Sequence, residues 1–132
     1  MKQGQKTLLT IILPVVIVIG GLVYLAKSSQ PGGEGLEAFA QCLTEKGSTF
    51  YGAYWCPHCQ DQKKLFGNAL KYVDYVECGI VGNTSAQVQE CTDADITSYP
   101  TWTFGDGTRQ SGLMPLRNLA DKTGCELPVE TE

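Results

Sequence analysis

A strand-forming run, Thr49-Phe50-Tyr51-Gly52-Ala53-Tyr54-Trp55, stops at Cys56-Pro57-His58-Cys59, and a helix-forming run starts there. This junction constrains the fold more than any other feature. The aromatic run reads as a buried strand. Pro57 suits the first turn of a helix, where a missing N–H costs nothing. The helix is expected to run on through Leu65, Phe66, Ala69 and Leu70, which share one face.

That position gives Cys56 a chemistry. The first turn of a helix carries unpaired N–H groups and the positive end of the macrodipole. Both favour a thiolate over a thiol at Cys56. His58 is placed to add positive charge or a hydrogen bond to the same sulfur. Cys59 lies one turn on, within disulfide reach. Cys56 is therefore read as the attacking, exposed sulfur, and Cys59 as the resolving sulfur, more buried and more neutral. A stabilised thiolate stabilises the reduced pair, which makes its disulfide the better oxidant. Such exchange needs no cofactor and no metal. Two other readings compete: half of a zinc site, and a purely structural local disulfide. No second Cys-x-x-Cys is present to complete a zinc site.

The other elements follow from pattern. Gly35 to Gly47 has Leu36, Phe39, Ala40 and Leu43 at helical spacing. Residues 72–78 alternate and read as a second strand. Residues 79–84 read as a loop, and Ser85 to Cys91 as a short helix capped by Ser85 or Thr84. Residues 101–104 and 108–111 flank the Gly105-Asp106-Gly107 turn as a hairpin. A last helix opens at Leu116-Arg117-Asn118-Leu119-Ala120 and ends near Gly124. Alternating strands and helices with a terminal hairpin predict an α/β domain, a mixed sheet of about four strands flanked by helices. Tyr99-Pro100-Thr101 lies at the entry to the hairpin, where a trans proline opening an edge strand is the plain reading.

Six cysteines in 132 residues point to an oxidising compartment or to redox or metal chemistry. Cys78 and Cys91 flank a twelve-residue gap, and a bond between them is worth roughly 3 kcal/mol in the chain-entropy model. A second redox relay is the rival use of that pair, and would require it to be exposed. Cys42 and Cys125 remain in the even count. They read as a disulfide tying both ends of the domain, against two buried free thiols.

The N-terminus addresses the compartment. Residues 8–26 carry no charge. As a helix they reach about 28 Å, close to the hydrocarbon thickness of a bilayer. Lys2, Lys6 and the terminal amine precede the run and Lys27 follows it. That bias puts residues 1–7 in the cytoplasm and the domain outside a cytoplasmic membrane, in the periplasm or extracellular space. A cleaved signal peptide is the competing reading of the run, and it too exports the domain. Residues 27–35 are rich in Gly, Ser and Pro and read as a flexible linker. The domain then spans 36–127, with 128–132 as a tail. From residue 28 onward the chain has seven basic and fourteen acidic residues, net −7, a poor match to nucleic acid.

The blocks Tyr54-Trp55-Cys56-Pro57-His58-Cys59 and Tyr99-Pro100-Thr101 resemble the thioredoxin superfamily. The Cys-Pro-His-Cys form matches that of DsbA-type periplasmic disulfide donors. Residues 51–59, 62–67, 75–78 and 96–102 together are similar to the thioredoxin-like domain fused to bacterial vitamin K epoxide reductase (VKOR) homologues. That resemblance covers about residues 36–124. It implies that Pro100 is cis and faces the dithiol, and that Trp55, Tyr99, Pro100 and Thr101 line the substrate groove. It also implies a Cys78–Cys91 disulfide. The four-helix quinone reductase of those fusions has no counterpart in the sequence, so a stand-alone domain is expected. Its partners are then reduced exported proteins as substrates, a separate VKOR/DsbB-type membrane oxidoreductase, and the bilayer through residues 8–26. The alternatives are a disulfide reductase or isomerase, and a membrane-tethered metal-binding module using Cys56, His58 and Cys59.

Overall fold

Phe50 and Trp102 sit opposite each other on neighbouring antiparallel strands, with rings stacked at 5.1 Å, and the sheet is built outward from that pair. The computed structural model describes residues 14–21 and 36–128. Contacts divide the chain into residues 1–32 and 33–132. Of the first unit, residues 14–21 are helical, with Val15 through Ile19 exposed. The rest of the expected anchor over 8–26, the 1–7 segment and the linker over 27–35 lie outside the described residues. Among the described residues no helix is long and apolar enough to cross a membrane.

The second unit runs α1 (Leu36–Glu45), β1 (Thr49–Gly52), α2 (Pro57–Phe66), a 3₁₀ turn (Gly67–Tyr72), β2 (Asp74–Glu77), β3 (Gly79–Ile80), β4 (Asn83–Gln87), α3 (Gln89–Asp93), β5 (Thr101–Thr103), β6 (Arg109–Ser111) and α4 (Leu116–Thr123). The main sheet has the order β2-β1-β5-β6. β1 pairs parallel with β2 and antiparallel with β5, and β5 pairs antiparallel with β6. This four-stranded mixed sheet with its helices fits the thioredoxin-like class expected from the sequence.

Side chains alternate across a strand, so the sheet serves two cores. Phe50 and Tyr75 enter the main cluster with Phe39, Leu43, Phe66, Trp102 and Leu119. Their neighbours Tyr51 and Val76 pack on a smaller cluster of Cys78, Cys91 and Ile96. Each large apolar side chain buried this way contributes about 1.5–3 kcal/mol. Gln62 of α2 is also fully buried. Its amide Nε2 donates to Met114 O at 2.9 Å, and its Oε1 accepts from Met114 N at 2.7 Å. A helix side chain thus takes the part of a strand partner and pins the segment ahead of α4.

Three expected elements differ. β1 ends at Gly52, because Cys56 N–H bonds back to Ala53 O and closes a turn that turns Tyr54 and Trp55 outward. α2 stops at Phe66, because Gly67 takes a positive φ of 50° and bonds back to Lys63 O and Lys64 O. Leu65, expected on the buried face, is exposed. Residues 79–87 form a hairpin rather than a loop and a capped helix. Ile80 pairs with Asn83 across Val81-Gly82, and the helix that follows starts at Gln89 after Val88, with no side-chain cap. Gly82 at φ 81° is what closes that tight turn.

Both expected structural disulfides are present, Cys42–Cys125 with Cα atoms 5.9 Å apart and Cys78–Cys91 with 5.7 Å. Cys78 and Cys91 are fully buried, which removes the exposure that a second relay would need.

Candidate active site

Cys56 and Cys59 are the two cysteines left free. Cys56 is the N-cap of α2, in extended backbone at φ −81° and ψ 118°, and Pro57 opens the helix behind it. The Cys56 side chain does what a capping Ser or Asp would do. Its Sγ accepts the Cys59 N–H at 3.3 Å.

This capping geometry corrects one expectation. Cys56 is only 5% exposed, because a sulfur turned back over the first helical turn is covered by it. Cys59 is wholly buried. The order of exposure is as expected, but Cys56 offers an edge rather than a face. His58 is exposed, and the bond into the Cys56 sulfur comes from the Cys59 amide.

Burial pushes the Cys59 thiol up to about 12, and its hydrogen bond with Cys56 adds to the rise. A stability consequence follows. Between its ordinary value of 9.0 and about 12, the folded dithiol keeps a proton that the unfolded chain releases. The folded state then binds more protons, so its stability falls as pH rises through that window. The disulfide form has no such thiol. The stability advantage that a strongly oxidising pair gives the reduced protein over the oxidised one is therefore expected to narrow above about pH 9. Denaturant titrations of both forms, from neutral pH upward, check it, and a gap independent of pH would refute it.

The second half of the site comes from the far end of the chain. The Tyr99–Pro100 peptide bond is cis, and Thr101 of β5 pairs with Tyr51 of β1. Trp55 is 40% exposed and meets the Tyr99 ring edge-on at 5.9 Å. The residue before Cys56 therefore touches the residue before the cis proline. Pro100 is buried, and Thr101 is buried with its hydroxyl donated to Ser98 O at 2.7 Å.

The hairpin β3–β4 and the end of β2 reach Tyr99 and Tyr54, and they bring in residues that the sequence did not single out. Gln87 accepts the Tyr99 hydroxyl proton through Oε1, and its Nε2 donates to Ile96 O at 2.9 Å. Glu77, at the end of β2, accepts the Tyr54 and Gly79 N–H groups on Oε1, each at 2.9 Å. Its Oε2 accepts the Tyr75 hydroxyl at 2.6 Å. Lys63 of α2 lies 3.9 Å from Oε2 and 4.0 Å from the centre of the Tyr75 ring. A Cβ at Gly79 would come within 2.8 Å of the Tyr54 ring and 2.9 Å of Glu77 Oε1, so a side chain there would displace one of them. Burial, and then the bond to Glu77, raise the Tyr75 hydroxyl above the usual phenol range. Tyr99 is raised too, by burial first and then by the charges of Cys59 and Glu77. The polar residue ending an alternating strand at Glu77 was the one available signal for this group. Among the described residues, no three His, Cys, Asp or Glu side chains converge as a metal-binding group.

No protein-family model matches the chain. The chain is 40% identical, over 98 residues, to thiol-disulfide oxidoreductase LTO1 of Arabidopsis thaliana. The match takes in 72% of this chain and 26% of that protein, so the chain spans about a quarter of the relative's length. Over most of its own length, therefore, the chain is similar to part of a thiol-disulfide oxidoreductase.

Proposed function

We propose that this chain is a membrane-anchored thiol–disulfide oxidoreductase working outside the cytoplasm, with Cys56–Cys59 as its redox pair. One observation carries the reading: Cys56 Sγ caps α2 and accepts the Cys59 N–H, while Cys59 itself is buried. The two sulfurs are thereby made unequal. Cys56 stands at the helix start as acceptor of a hydrogen bond and leaving group, and Cys59 is held as a neutral thiol. The similarity to a thiol-disulfide oxidoreductase supports the same chemistry.

In the direction we favour, a substrate thiolate attacks Cys56 Sγ of the Cys56–Cys59 disulfide. The S–S bond breaks and its electron pair leaves on Cys59. A second substrate thiolate then attacks the substrate sulfur of the mixed disulfide. Cys56 departs as a thiolate, eased by the Cys59 amide and the helix terminus. The substrate pair is oxidised by two electrons and the Cys56–Cys59 pair is reduced by two. A separate VKOR/DsbB-type membrane oxidoreductase would reoxidise it. Reduced exported proteins would be the substrates, with Trp55 and the Tyr99-Pro100-Thr101 segment beside the reacting sulfur.

The reduction potential of the pair tests the direction. A value near that of DsbA, about −120 mV, is expected; a value near that of thioredoxin, about −270 mV, would reverse the electron flow and make the chain a reductase. Equilibration of the purified chain with glutathione redox buffers reads it directly.

A further inference from the structure

The loop between α3 and β5 carries Tyr99 and Pro100, and from Ala94 to Pro100 it has no strand or helix of its own. Its fixation therefore comes from outside. Ile96 is buried, and its N–H donates to Cys91 O at 2.9 Å. Arg109 of β6 donates to Asp95 O at 2.9 Å, and the Ser98 hydroxyl donates to Ser111 Oγ at 3.0 Å. These bonds hold the main chain and Ser98. The Tyr99 ring, which faces Trp55, needs a hold of its own.

Gln87 supplies it. Its one amide reaches both ends of the Ile96-Thr97-Ser98-Tyr99 stretch: Nε2 donates to Ile96 O at 2.9 Å, and Oε1 accepts the Tyr99 hydroxyl proton. Chemistry fixes which end is which. A backbone carbonyl only accepts, so the NH2 group must face Ile96 O, and the amide oxygen is left for the phenol. Gln87 also stands on a firm base. It is the last residue of β4 and pairs with Gly79 of β3, and the next residue, Val88, donates its N–H to Cys78 O at 3.0 Å. Cys78 is fully buried and bonded to Cys91. From Gln87 the path to Cys56 runs through two rings: Tyr99, and then Trp55, which meets it edge-on at 5.9 Å and precedes Cys56.

We propose that Gln87 is a positioning residue for the substrate groove: its amide locks the Tyr99 ring to the Ile96 main chain, and Tyr99 in turn holds Trp55 as the wall that a substrate chain meets beside Cys56. This role rests on the thiol–disulfide exchange reading above, and it adds what selects the substrate. A protein or peptide thiol carries chain on either side of its sulfur, and that chain must lie along the wall. A small dithiol such as dithiothreitol carries none. A wall fixed beforehand spares an incoming chain the cost of ordering two side chains on contact. Gln87 therefore favours chain substrates over small thiols and takes no part in the exchange of bonds.

Single-turnover reduction of the oxidised full-length chain tests this, with two probes: dithiothreitol, and a reduced synthetic peptide carrying two cysteines. Gln87→Met keeps the length of the side chain and removes both hydrogen bonds. Tyr99→Phe keeps the ring and removes one of them. In each, the rate constant for the peptide relative to that for dithiothreitol is expected to fall about tenfold, the worth of one hydrogen bond that orders a group. In the double variant the fall should stay near tenfold, because both changes break the same bond. Trp55 adds an optical readout. It is 40% exposed and Trp102 is fully buried, so iodide quenches Trp55 selectively, and quenching should rise in Gln87→Met. An unchanged ratio of rate constants in both single variants, or unchanged quenching in Gln87→Met, would overturn the inference alone. An equal fall for both probes would give Gln87 a purely structural part and overturn it as well, as would effects that multiply in the double variant. A wild-type oxidised chain that neither probe reduces would overturn the exchange reading, and this inference with it.

Discussion

Cys56→Ser is expected to bring thiol–disulfide exchange down to the rate of the uncatalysed reaction, while Cys59→Ala accumulates mixed disulfides with substrate proteins. The asymmetry of the site makes these outcomes differ. Serine keeps the capping geometry at the start of α2, but its oxygen neither ionises at neutral pH nor forms the S–S bond. Nothing replaces it, because Cys59 is fully buried and the four remaining cysteines are tied in disulfides. Cys59→Ala leaves Cys56 at the surface edge of the site with no partner to expel a bound substrate. Non-reducing gels, followed by identification of the trapped chains, check both. A Cys56→Ser protein that still oxidises a model dithiol, or a Cys59→Ala protein that never holds a partner, would refute the assignment of roles.

The second large effect concerns the fold. Cys42 and Cys125 are 83 residues apart in sequence, and their bond joins α1 to the segment after α4. A crosslink of that span removes chain entropy from the unfolded state worth about 4–5 kcal/mol in the loop-closure model. A domain of this size has a total stability of about 5–15 kcal/mol. Cys42→Ala with Cys125→Ala should therefore leave a domain that is only marginally folded. The Cys78→Ala with Cys91→Ala pair closes a much shorter loop, with a separation of 13, and should cost about 3 kcal/mol. Guanidinium unfolding of the two variants, with Cys56 and Cys59 kept reduced, compares them. An unfolding free energy for the Cys42/Cys125 variant within about 1 kcal/mol of wild type would show that the ends of the domain are held by packing alone.

Where local chemistry decides, the elements stand as the sequence implied. Gly124 takes a left-handed φ of 73° and ends α4, and the Gly105-Asp106-Gly107 turn joins β5 to β6. Pro57 opens α2 at the expected point. The misreadings fall where a distant partner decides. Residues 83–87 carry polar side chains that suit a helix cap, yet they form β4, next to a buried disulfide and a Gln87–Tyr99 hydrogen bond. Leu65, expected on the buried face of the helix, is exposed, and Gln62 is buried instead, held by Met114 from 52 residues along the chain.

Read alone, the sequence already placed Cys56 and Cys59 at a strand-to-helix junction with the helix opening at Pro57. These features depend on residues three positions apart and on backbone geometry that Pro57 and Cys56 set locally. How far the sulfurs are buried, which carboxylate receives the Tyr75 hydroxyl and which ring meets Trp55 came only with the packed fold. Tyr75 and Glu77 arrive on the neighbouring parallel strand, and Tyr99 from beyond the disulfide-bound hairpin. The difference is one of range: a cap or a turn is fixed by the bonds of a few adjacent residues, whereas burial and the company of a charge depend on segments that fold in from elsewhere along the chain.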